Sequence, residues 1–438
     1  MATDRLSTRI RRDEWPLVVL MFLYFFGVIT TFWILKPIKK GLFVGFYSQL
    51  GETFELFGWV MSGPQAELIA KIGNLVAVFV AVVVFTWLAR TLRRQQLTYV
   101  FGGFTFLVLL LYSVALRFAG EATVWSFYIF GDLYNSLMVA TFFAFLNDSV
   151  RPDDARRLYG PIILGGVVGG AFGSIFVRSE IDHFAPATWV LICAGITVGV
   201  VLVAGAAGRL VTRRGEPAAE APFQAPPAKP VSPALEGARL VFRSRYLLAI
   251  FVLVGLYEVV STLLDYQFTA TVVHYVAGDP TKHFSTVYAI TNVVALVVQL
   301  FLTANIMSRF GVKAALLVMP SLILGASGLF LLLPVLWIGS TLNTVDNALN
   351  YSINQSAREA LYTPLSRDEK YKAKAFIDMF LYRTAKVVAV GVALAAGAAF
   401  EEFTAVRWLS LVVLALGAVW IAVARYAGNE FRRMTEGA

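Results

Sequence analysis

The sequence predicts an all-α polytopic membrane protein whose twelve transmembrane helices form two six-helix bundles. Three observations support this fold class. The 438 residues are 58% hydrophobic and only 15% charged, with a mean hydropathy of +0.70, which is far outside the range of soluble proteins. Apolar segments of about 20 residues, the length that crosses a bilayer, recur along the chain. One long polar segment divides them into two equal groups.

The apolar segments are separated by loops that alternate in charge. Basic residues concentrate in every second loop, whereas the loops between them hold few, such as Arg117 and Arg407. Because basic loops stay on the cytoplasmic side, this alternation predicts an even number of helices and two cytoplasmic termini. The twelve predicted helices centre near Phe25, Val78, Val108, Leu137, Val168, Thr197, Gly255, Val294, Leu322, Asn343, Val388 and Leu414.

The polar segment at 209–245 predicts a flexible cytoplasmic linker. It contains Glu216-Pro217-Ala218-Ala219-Glu220-Ala221-Pro222 and further proline and alanine, a composition typical of linkers rather than of folded domains. The predicted organisation is a cytoplasmic N-terminus at 1–14, an N-terminal six-helix bundle at 15–208, the linker, a C-terminal six-helix bundle at 246–427 and a cytoplasmic tail at 428–438.

The two halves of the chain are similar at one position. A charged run with a tyrosine follows the predicted fourth helix, at 153–159, and another follows the tenth, at 367–372. Two six-helix repeats are the arrangement of major-facilitator transporters, so the predicted architecture is a major facilitator fold. The glycines of the predicted fifth helix indicate close packing against a neighbouring helix; they are Gly165, Gly166, Gly169, Gly170 and Gly173.

Three lysines lie at the end of the first predicted helix, in Lys36-Pro37-Ile38-Lys39-Lys40. Positions 36, 39 and 40 share one face of a helix, and Trp33 lies one turn earlier. A lysine at the centre of a bilayer costs about 2.5–3.5 kcal/mol on insertion scales, so this cluster requires a partner, a water-filled cavity or an anionic ligand. The alternative is that all three lysines reach the membrane surface and anchor the helix.

Polar side chains recur at helical spacing in other spans, as expected of helices that line a cavity. Ionisable groups inside a membrane are functional candidates, although interhelical ion pairs, such as Lys39 with Asp265, are the structural alternative. The polar positions are Lys71 and Asn74 on the second helix; Asp132, Asn135 and Ser136 on the fourth; Glu258, Ser261, Thr262 and Asp265 on the seventh; Ser285, Tyr288, Asn292 and Gln299 on the eighth; Asn343, Asp346, Asn347, Asn350, Asn354 and Arg358 on the tenth; and Asp378, Tyr382, Arg383 and Lys386 on the eleventh.

The balance of charge inside the spans favours an anionic substrate. Bases slightly exceed acids there, and Arg358, Lys372 and Lys374 add to them at the cytoplasmic side. Phosphate groups accept charge-assisted hydrogen bonds from both lysine and arginine. Aromatic residues such as Trp33 and Tyr351 lie among the bases, and such rings can stack on a planar nucleobase.

Other function classes are disfavoured. The histidines are scattered without the spacing of metal ligands, and the single cysteine, Cys193, excludes an internal disulfide. No nucleophile or paired-carboxylate arrangement has a recognisable spacing, so we expect neither an enzyme nor a bound cofactor. The net charge of +9 reflects loop orientation, and we expect a lipid bilayer and no nucleic acid as partner. A non-transporting receptor or scaffold is the alternative from another class.

Three stretches resemble the nucleotide transporter family of plastids and obligate intracellular bacteria. The most specific one is NYSINQSAREALYTPL at 350–365, followed by KAKAFID at 372–378, which is similar to that family's tenth and eleventh helices. The stretch at 145–159 is similar to its fourth-to-fifth loop, and Leu35-Lys36-Pro37-Ile38-Lys39-Lys40 to its first-helix basic motif. The resemblance covers essentially the whole twelve-helix body.

This resemblance implies a secondary transporter that exchanges ATP for ADP, or carries nucleotides with protons, by alternating access of two bundles. Lys39 matches the motif lysine expected to bind phosphates, and Lys374 matches a lysine of the eleventh-helix motif. Asp132 and Asp265 fall where the family has membrane glutamates. The chain resembles a free-living bacterial member, so we expect a monomeric, multi-pass protein of the cell inner membrane.

The sequence departs from the family pattern in its first motif, where Pro37 and Lys40 replace two aspartates. The site is therefore more basic, and another phosphorylated or organic anion is the alternative substrate. The first-helix lysines are predicted to hold phosphates, and the aspartates to bind coupling protons or to pair with bases in the empty carrier. The predicted substrate-binding residues are Lys36, Lys39, Lys40, Asp132, Asp265, Asp346, Asn350, Arg358, Lys374, Arg383 and Lys386.

Overall fold

The computed structural model describes residues 10–49, 54–56, 58–92, 94–118, 120–150, 152–213, 233–399 and 403–436. Helices dominate the described chain, and the first half also contains one short antiparallel hairpin. The elements of this half are α1 (Trp15–Gln49), β1 (Phe54–Leu56), β2 (Trp59–Met61), α2 (Gly63–Thr91), α3 (Arg94–Ala115), a 3-10 turn (Leu116–Phe118), α4 (Glu121–Ser149), α5 (Pro152–Glu180) and α6 (Pro186–Arg213).

The described residues of the second half contain three π-helical segments, each of which interrupts or joins α-helices. Such wide turns leave backbone groups out of the regular α-helical pattern and are frequent near functional sites. The elements are α7 (Pro233–Arg243), α8 (Arg245–Tyr275), α9 (Thr281–Val297), π Val298–Thr303, α10 (Ala304–Leu332), α11 (Leu336–Leu349), π Asn350–Asn354, α12 (Gln355–Leu361), α13 (Arg367–Phe376), π Ile377–Leu381, α14 (Tyr382–Ala399), a 3-10 turn (Phe403–Trp408) and α15 (Leu409–Glu436).

Each of the twelve predicted helix centres lies within a helix, so the all-helical membrane class is confirmed. Within the described ranges, nine helical segments are long and apolar enough to span a bilayer. One of these, Thr281–Leu332, holds two predicted centres. Gly311 divides it, because its φ of +77° breaks the helix and is a conformation that side-chain-bearing residues rarely adopt. The exact count of twelve stays a prediction.

The chain divides into two compact units. The first unit comprises Met1–Phe43, Gly73–Gln224 and Phe284–Ala289, and the second comprises Val44–Ile72, Ala225–His283 and Ile290–Ala438. The predicted bundle boundaries at 15–208 and 246–427 stay a prediction. Most of the predicted linker, 214–232, lies outside the described residues. Its last part forms α7, whose Val241 is fully buried, because apolar side chains recur there at helical spacing.

The first unit is built on close contact between α1 and α5. A Cβ added to Gly165, Gly169 or Gly173 would lie 2.4, 2.5 or 2.7 Å from a backbone carbonyl oxygen of α1. Only glycine permits backbones to approach this closely, so the packing role predicted for these glycines is confirmed. Aromatic stacking of Phe25 on Phe142, with ring centroids 4.3 Å apart, fills the space between α1 and α4.

The second unit is built around α8. This helix packs against α11, α14 and α15, and α10 runs along α15. Its buried face includes Tyr257, whose ring lies 6.0 Å from that of Trp420 on α15. The helix also buries Glu258 and Thr262, both at most 5% exposed. Polar groups are therefore enclosed within the helical core of this unit, where water cannot solvate them.

Candidate substrate-binding site

In the first unit, α1 places its lysines inside the protein. Lys39 and Lys40 are each only 4% exposed, and the helix continues for two more turns beyond them. Buried ammonium groups require compensating partners. The alternative in which all three lysines reach the membrane surface is therefore wrong, because two of them are enclosed by protein.

Asp132 on α4 is the carboxylate partner of Lys39. The Lys39 Nζ forms an ion pair with the Asp132 Oδ1, and it also donates a 3.4 Å hydrogen bond to the backbone carbonyl of Tyr128. The Asn74 Nδ2 of α2 donates a 2.5 Å hydrogen bond to the other Asp132 oxygen. Both carboxylate oxygens therefore have donors, which is what a pair at this depth requires.

Gly131 provides the room for Lys39 beside α4. A Cβ at this position would lie 2.5 Å from the Lys39 Cδ, so any larger residue would displace the lysine stem. The Lys39 ammonium also lies 4.6 Å from the centroid of the Tyr128 ring. A charge above an aromatic face gains electrostatic attraction that grows when water is excluded.

Aromatic rings surround the other two lysines of α1. The Lys36 Nζ lies 4.4 Å from the ring centroid of Trp33 and 4.7 Å from that of Tyr288, and the Trp33 and Tyr288 centroids are 5.8 Å apart. The Lys40 Nζ lies 5.4 Å from the Phe284 centroid. The first unit thus combines three cations with flat aromatic surfaces.

The second unit contains a similar network around Asp265 of α8. The Lys71 Nζ of α2 forms an ion pair with the Asp265 Oδ2, and the Asn343 Nδ2 of α11 donates a 3.4 Å hydrogen bond to the Asp265 Oδ1. Lys71 also lies 3.7 Å from Glu67 one turn earlier, and Thr269 donates a 3.1 Å hydrogen bond to Glu67. The Asn343 Oδ1 is buried without a hydrogen-bond partner in the described structure.

These two networks have the same arrangement. In each, an aspartate binds a lysine through one oxygen and an asparagine amide through the other. Lys39 forms its ion pair with Asp132, and the ion pair of Lys39 with Asp265 stays a prediction. A carboxylate held on both oxygens stays oriented while its lysine is present.

Three further predicted residues also have identified surroundings in the second unit. Asp346 is 2% exposed and accepts a 2.7 Å hydrogen bond from the Ser261 hydroxyl. The Lys386 Nζ of α14 lies 3.5 Å from the Glu258 Oε1 of α8. Arg383 lies one turn before Lys386 and is partly buried. Both α11 and α14 thus place a charged side chain in contact with α8.

The remaining predicted residues lie at or beyond the π segment of α11 and α12. Asn350 begins this segment and accepts a 3.3 Å hydrogen bond from Asn354. The Arg358 guanidinium lies 5.2 Å from the Tyr257 ring centroid. Lys374 donates 2.6 and 2.7 Å hydrogen bonds to both oxygens of Glu359, which is 51% exposed. Lys374 is therefore a partly buried residue paired with an exposed glutamate, distinct from the buried networks.

The importance of α2 is underestimated by sequence reasoning alone. Lys71 and Asn74 stand out as polar positions, yet neither is among the predicted substrate-binding residues, and Glu67 is missed altogether. A signal is present, because Glu67 and Lys71 are four residues apart in an apolar helix, a spacing at which side chains meet. A buried acid and base on one helix indicate a network that extends to neighbouring helices.

A separate cavity of about 810 Å³ lies in the second unit, near the hairpin. Its lining includes Trp59, Gln65, Tyr266, His274 and Phe403. The His274 and Phe403 rings are stacked, with centroids 4.0 Å apart. The residues predicted to bind substrate do not line this cavity, so it is distinct from the ion-pair networks.

Comparison with known proteins supports the sequence resemblance. The family model described as TLC ATP/ADP transporter matches residues 114–431, which is more than half of the chain. A plastidic ATP/ADP-transporter of Solanum tuberosum is 23% identical, with 89% of this chain and 71% of the relative covered. The ADP,ATP carrier protein 1 of Chlamydia pneumoniae is also 23% identical, with 97% and 94% covered.

Solved structures support the fold. A crystal structure of the nucleoside transporter NupG is similar with a TM-score of 0.61 at 13% identity, and 97% of this chain and 100% of NupG are covered. A bacterial homologue of the iron transporter ferroportin has a TM-score of 0.63 at 12% identity, with 95% and 98% covered. These matches confirm the predicted transporter-like helical fold.

Proposed function

The chain belongs to the TLC ATP/ADP transporter family, and from this membership we propose that it carries nucleotides across a membrane, either by ATP/ADP exchange or with coupled protons. It is a transporter and not an enzyme. The observation that carries the proposal is the first unit's cluster of Lys36, Lys39 and Lys40. Three cations inside a membrane helix bundle match the charge of a nucleotide's phosphates.

In the proposed transport cycle, Asp132 holds the Lys39 ammonium until a substrate replaces it. A phosphate that binds Lys39 competes with Asp132 for the ammonium, because both are anions that accept its hydrogen bonds. The released carboxylate then takes up a proton or keeps its bond from Asn74. The substrate thereby changes which conformation is favoured, since a ligand shifts an equilibrium only through differential binding to the two states.

The nucleobase is held by the aromatic side chains of the same unit. Trp33 and Tyr288 offer ring faces next to Lys36, at 4.4 and 4.7 Å from its ammonium. Stacking of a base on an aromatic ring contributes about 1–3 kcal/mol and tolerates different bases. This arrangement supports recognition of nucleotides over phosphorylated sugars, which lack a planar group.

The second unit supplies its own bases and coupling acids. Lys71 is held by Asp265 and lies near Glu67, and Lys386 is held by Glu258. Arg383 and Lys386 assist phosphate binding, whereas Asp265 and Asp346 serve as coupling or locking carboxylates. Each ion pair must separate before its lysine can bind an anionic substrate. Substrate binding and the opening of these ion pairs are therefore coupled.

The protein works as a multi-pass protein of the cell inner membrane, with both termini in the cytoplasm. The alternation of basic loops along the sequence supports this orientation. It acts as a monomer, with the lipid bilayer as its surroundings and no nucleic acid as partner.

The first test is uptake of labelled ATP into proteoliposomes preloaded with ADP. We expect uptake that depends on internal ADP if the protein is an exchanger, or on a proton gradient if it is a symporter. Lys39→Ala should reduce the rate at least about tenfold, because it removes a phosphate-binding cation whose charge-assisted hydrogen bond is worth about 1.5–3 kcal/mol. Lys370→Ala, which removes a lysine of α13 outside the cluster, is the matched control and should transport normally.

Competition identifies the substrate class. Unlabelled nucleotides should inhibit uptake more strongly than phosphorylated sugars of equal charge. Equal inhibition by both would favour the alternative anion carrier. Absence of uptake by folded protein under both driving conditions would contradict nucleotide transport, and unchanged uptake by Lys39→Ala would refute the role given to that lysine.

A further inference from the structure

The helix α7, which directly precedes α8, carries an exposed basic and aromatic face. Arg239, Phe242 and Arg243 lie three and four residues apart, so they share one side of the helix. Both arginines are exposed, and Phe242 is 62% exposed. Arg245, also exposed, begins α8 immediately afterwards. In the part of the chain that the structure describes, none of these three arginines forms an ion pair.

This face lies at the border of the membrane. The apolar helix α8 covers Arg245–Tyr275, 31 residues. Because roughly 20 residues cross the hydrocarbon of a bilayer, its first turn is expected near the lipid headgroups. Phe242 and Arg243 precede that point by only a few residues, which is the depth of the lipid headgroups. Aromatic and basic residues concentrate at this level, where one part of a side chain meets hydrocarbon and another meets phosphate.

The opposite side of α7 is fixed to the protein. Val241 is fully buried on that side. Glu236, one turn before Arg239 on the arginine-bearing side, forms a 2.9 Å ion pair with Lys372 of α13. A Cβ on Gly237 would lie 2.4 Å from the backbone carbonyl oxygen of Lys372, so the two helices are in close contact. Because α7 is anchored on this side, its arginine-bearing side stays directed away from the unit.

We propose that this outer face, formed by Arg239, Phe242, Arg243 and Arg245, binds the phosphate headgroup of an anionic phospholipid. The arginines would donate charge-assisted hydrogen bonds to the phosphate oxygens. Phe242 would contact the upper part of the acyl chains, as aromatic side chains of interfacial helices do. The apolar ring of Phe242 between the arginines favours a lipid over free phosphate, because free phosphate has no apolar part that could contact the ring.

Lipid binding at this face also holds α13 in place. Phe242 lies 6.3 Å from Phe376 at the end of α13, measured between ring centroids, and the π segment Ile377–Leu381 follows directly. That segment leads into α14, which carries Arg383 and Lys386. An anionic lipid on α7 therefore stabilises the docked α7–α13 pair at the base of a helix that bears predicted substrate-binding residues.

The experiment is titration of the purified full-length protein in neutral detergent with phosphatidylglycerol, read as lipid adducts by native mass spectrometry. Phosphatidylcholine is the neutral comparison, and inorganic phosphate is the competitor. One basic residue near an anionic surface contributes about 1 kcal/mol, or roughly a fivefold change in affinity. We therefore expect each of Arg239→Gln, Arg243→Gln and Arg245→Gln to weaken phosphatidylglycerol binding about fivefold, and Phe242→Ser to weaken it as well.

Arg117→Gln is the matched control, since Arg117 is an exposed arginine beside the exposed Phe118 on another helix end. A triple Arg→Lys variant at 239, 243 and 245 should keep most of the affinity, because it keeps the three positive charges. It shows that replacing these side chains does not by itself disrupt the binding face. A further variant replaces Arg239, Arg243 and Arg245 together with glutamine. The proposal would be overturned if this variant bound phosphatidylglycerol unchanged, if phosphatidylcholine bound equally well, or if inorganic phosphate displaced the lipid. Binding is measured without transport, so its outcome is independent of the proposed function.

Discussion

At the scale of single residues, the most informative feature is the pairing of Lys39 with Asp132. The residue Lys39 is 4% exposed, whereas the Asp132 side chain is 31% exposed. Burial disfavours an unpaired ammonium, and removal of one partner of a buried pair leaves the other charge uncompensated. The partial exposure of Asp132 reduces this cost, because water still reaches part of its carboxylate.

A double-mutant cycle tests this coupling. Lys39→Ala and Asp132→Asn should each destabilise the protein, and the double variant should lose less than the sum. Residues in direct contact typically couple by about 0.5–3 kcal/mol, and we expect a value in this range from denaturant unfolding in detergent.

Ser136→Ala combined with Lys39→Ala serves as the control cycle. The Ser136 hydroxyl donates to the Asp132 backbone carbonyl within α4 and not to Lys39, so its effect should be additive. A coupling near zero in the Lys39–Asp132 cycle would mean that the buried pair contributes nothing to the folded state.

At the scale of elements, the contact between α1 and α5 fixes the helix that carries the lysines. Gly169 allows the α5 backbone to lie against Phe26, and the Thr30 hydroxyl donates a 3.2 Å hydrogen bond to the Gly169 carbonyl. Within α1, Pro37 cannot donate a backbone hydrogen bond to Trp33. The helix is therefore firmly held before the lysines and lacks one backbone hydrogen bond where they begin.

Gly169→Ala should destabilise the first unit. The added methyl would lie 2.5 Å from the Phe26 carbonyl oxygen, and forced overpacking typically costs about 1–3 kcal/mol. Thermal unfolding of the purified protein should show a lower midpoint.

Gly195→Ala on α6 is the control, because a Cβ at this position would have no neighbouring atom within 4 Å among the described residues. There the greater helix propensity of alanine should leave stability equal or slightly higher. Equal midpoints for the Gly169 variant and its control would contradict the close α1–α5 contact.

At the scale of the whole molecule, charge distribution predicts how the chain is oriented. Lys and Arg exceed Asp and Glu, 37 against 28, and the excess lies mostly in alternate loops. Cytoplasmic loops keep such basic residues because they are retained on that side during insertion.

Reporter fusions measure this orientation. A reporter active only in the cytoplasm should be active at either terminus and inactive when inserted between α5 and α6, near His183. Activity at that internal loop, or inactivity at one terminus, would show that the number of crossings or their direction differs from the prediction.

Several features of the fold and the site are predictable from the sequence. Apolar segments long enough to cross a bilayer leave the backbone no other way to satisfy its hydrogen bonds than by forming helices. The lysines of α1 and the aspartates of α4 and α8 are recognisable because charges inside such segments need partners. The glycines of α5 indicate close packing, which the structure confirms.

The sequence by itself thus determined the membrane class, the helical segments and the family resemblance, since these follow from local composition and from residue order. Only the tertiary structure decided that Lys39 pairs with Asp132 and Lys71 with Asp265, and that Lys374 pairs with the exposed Glu359. Ion pairs join residues far apart in the chain, and several acids were available to each base. Which acid lies within reach depends on how the helices pack, and the spacing of residues along one helix cannot specify that.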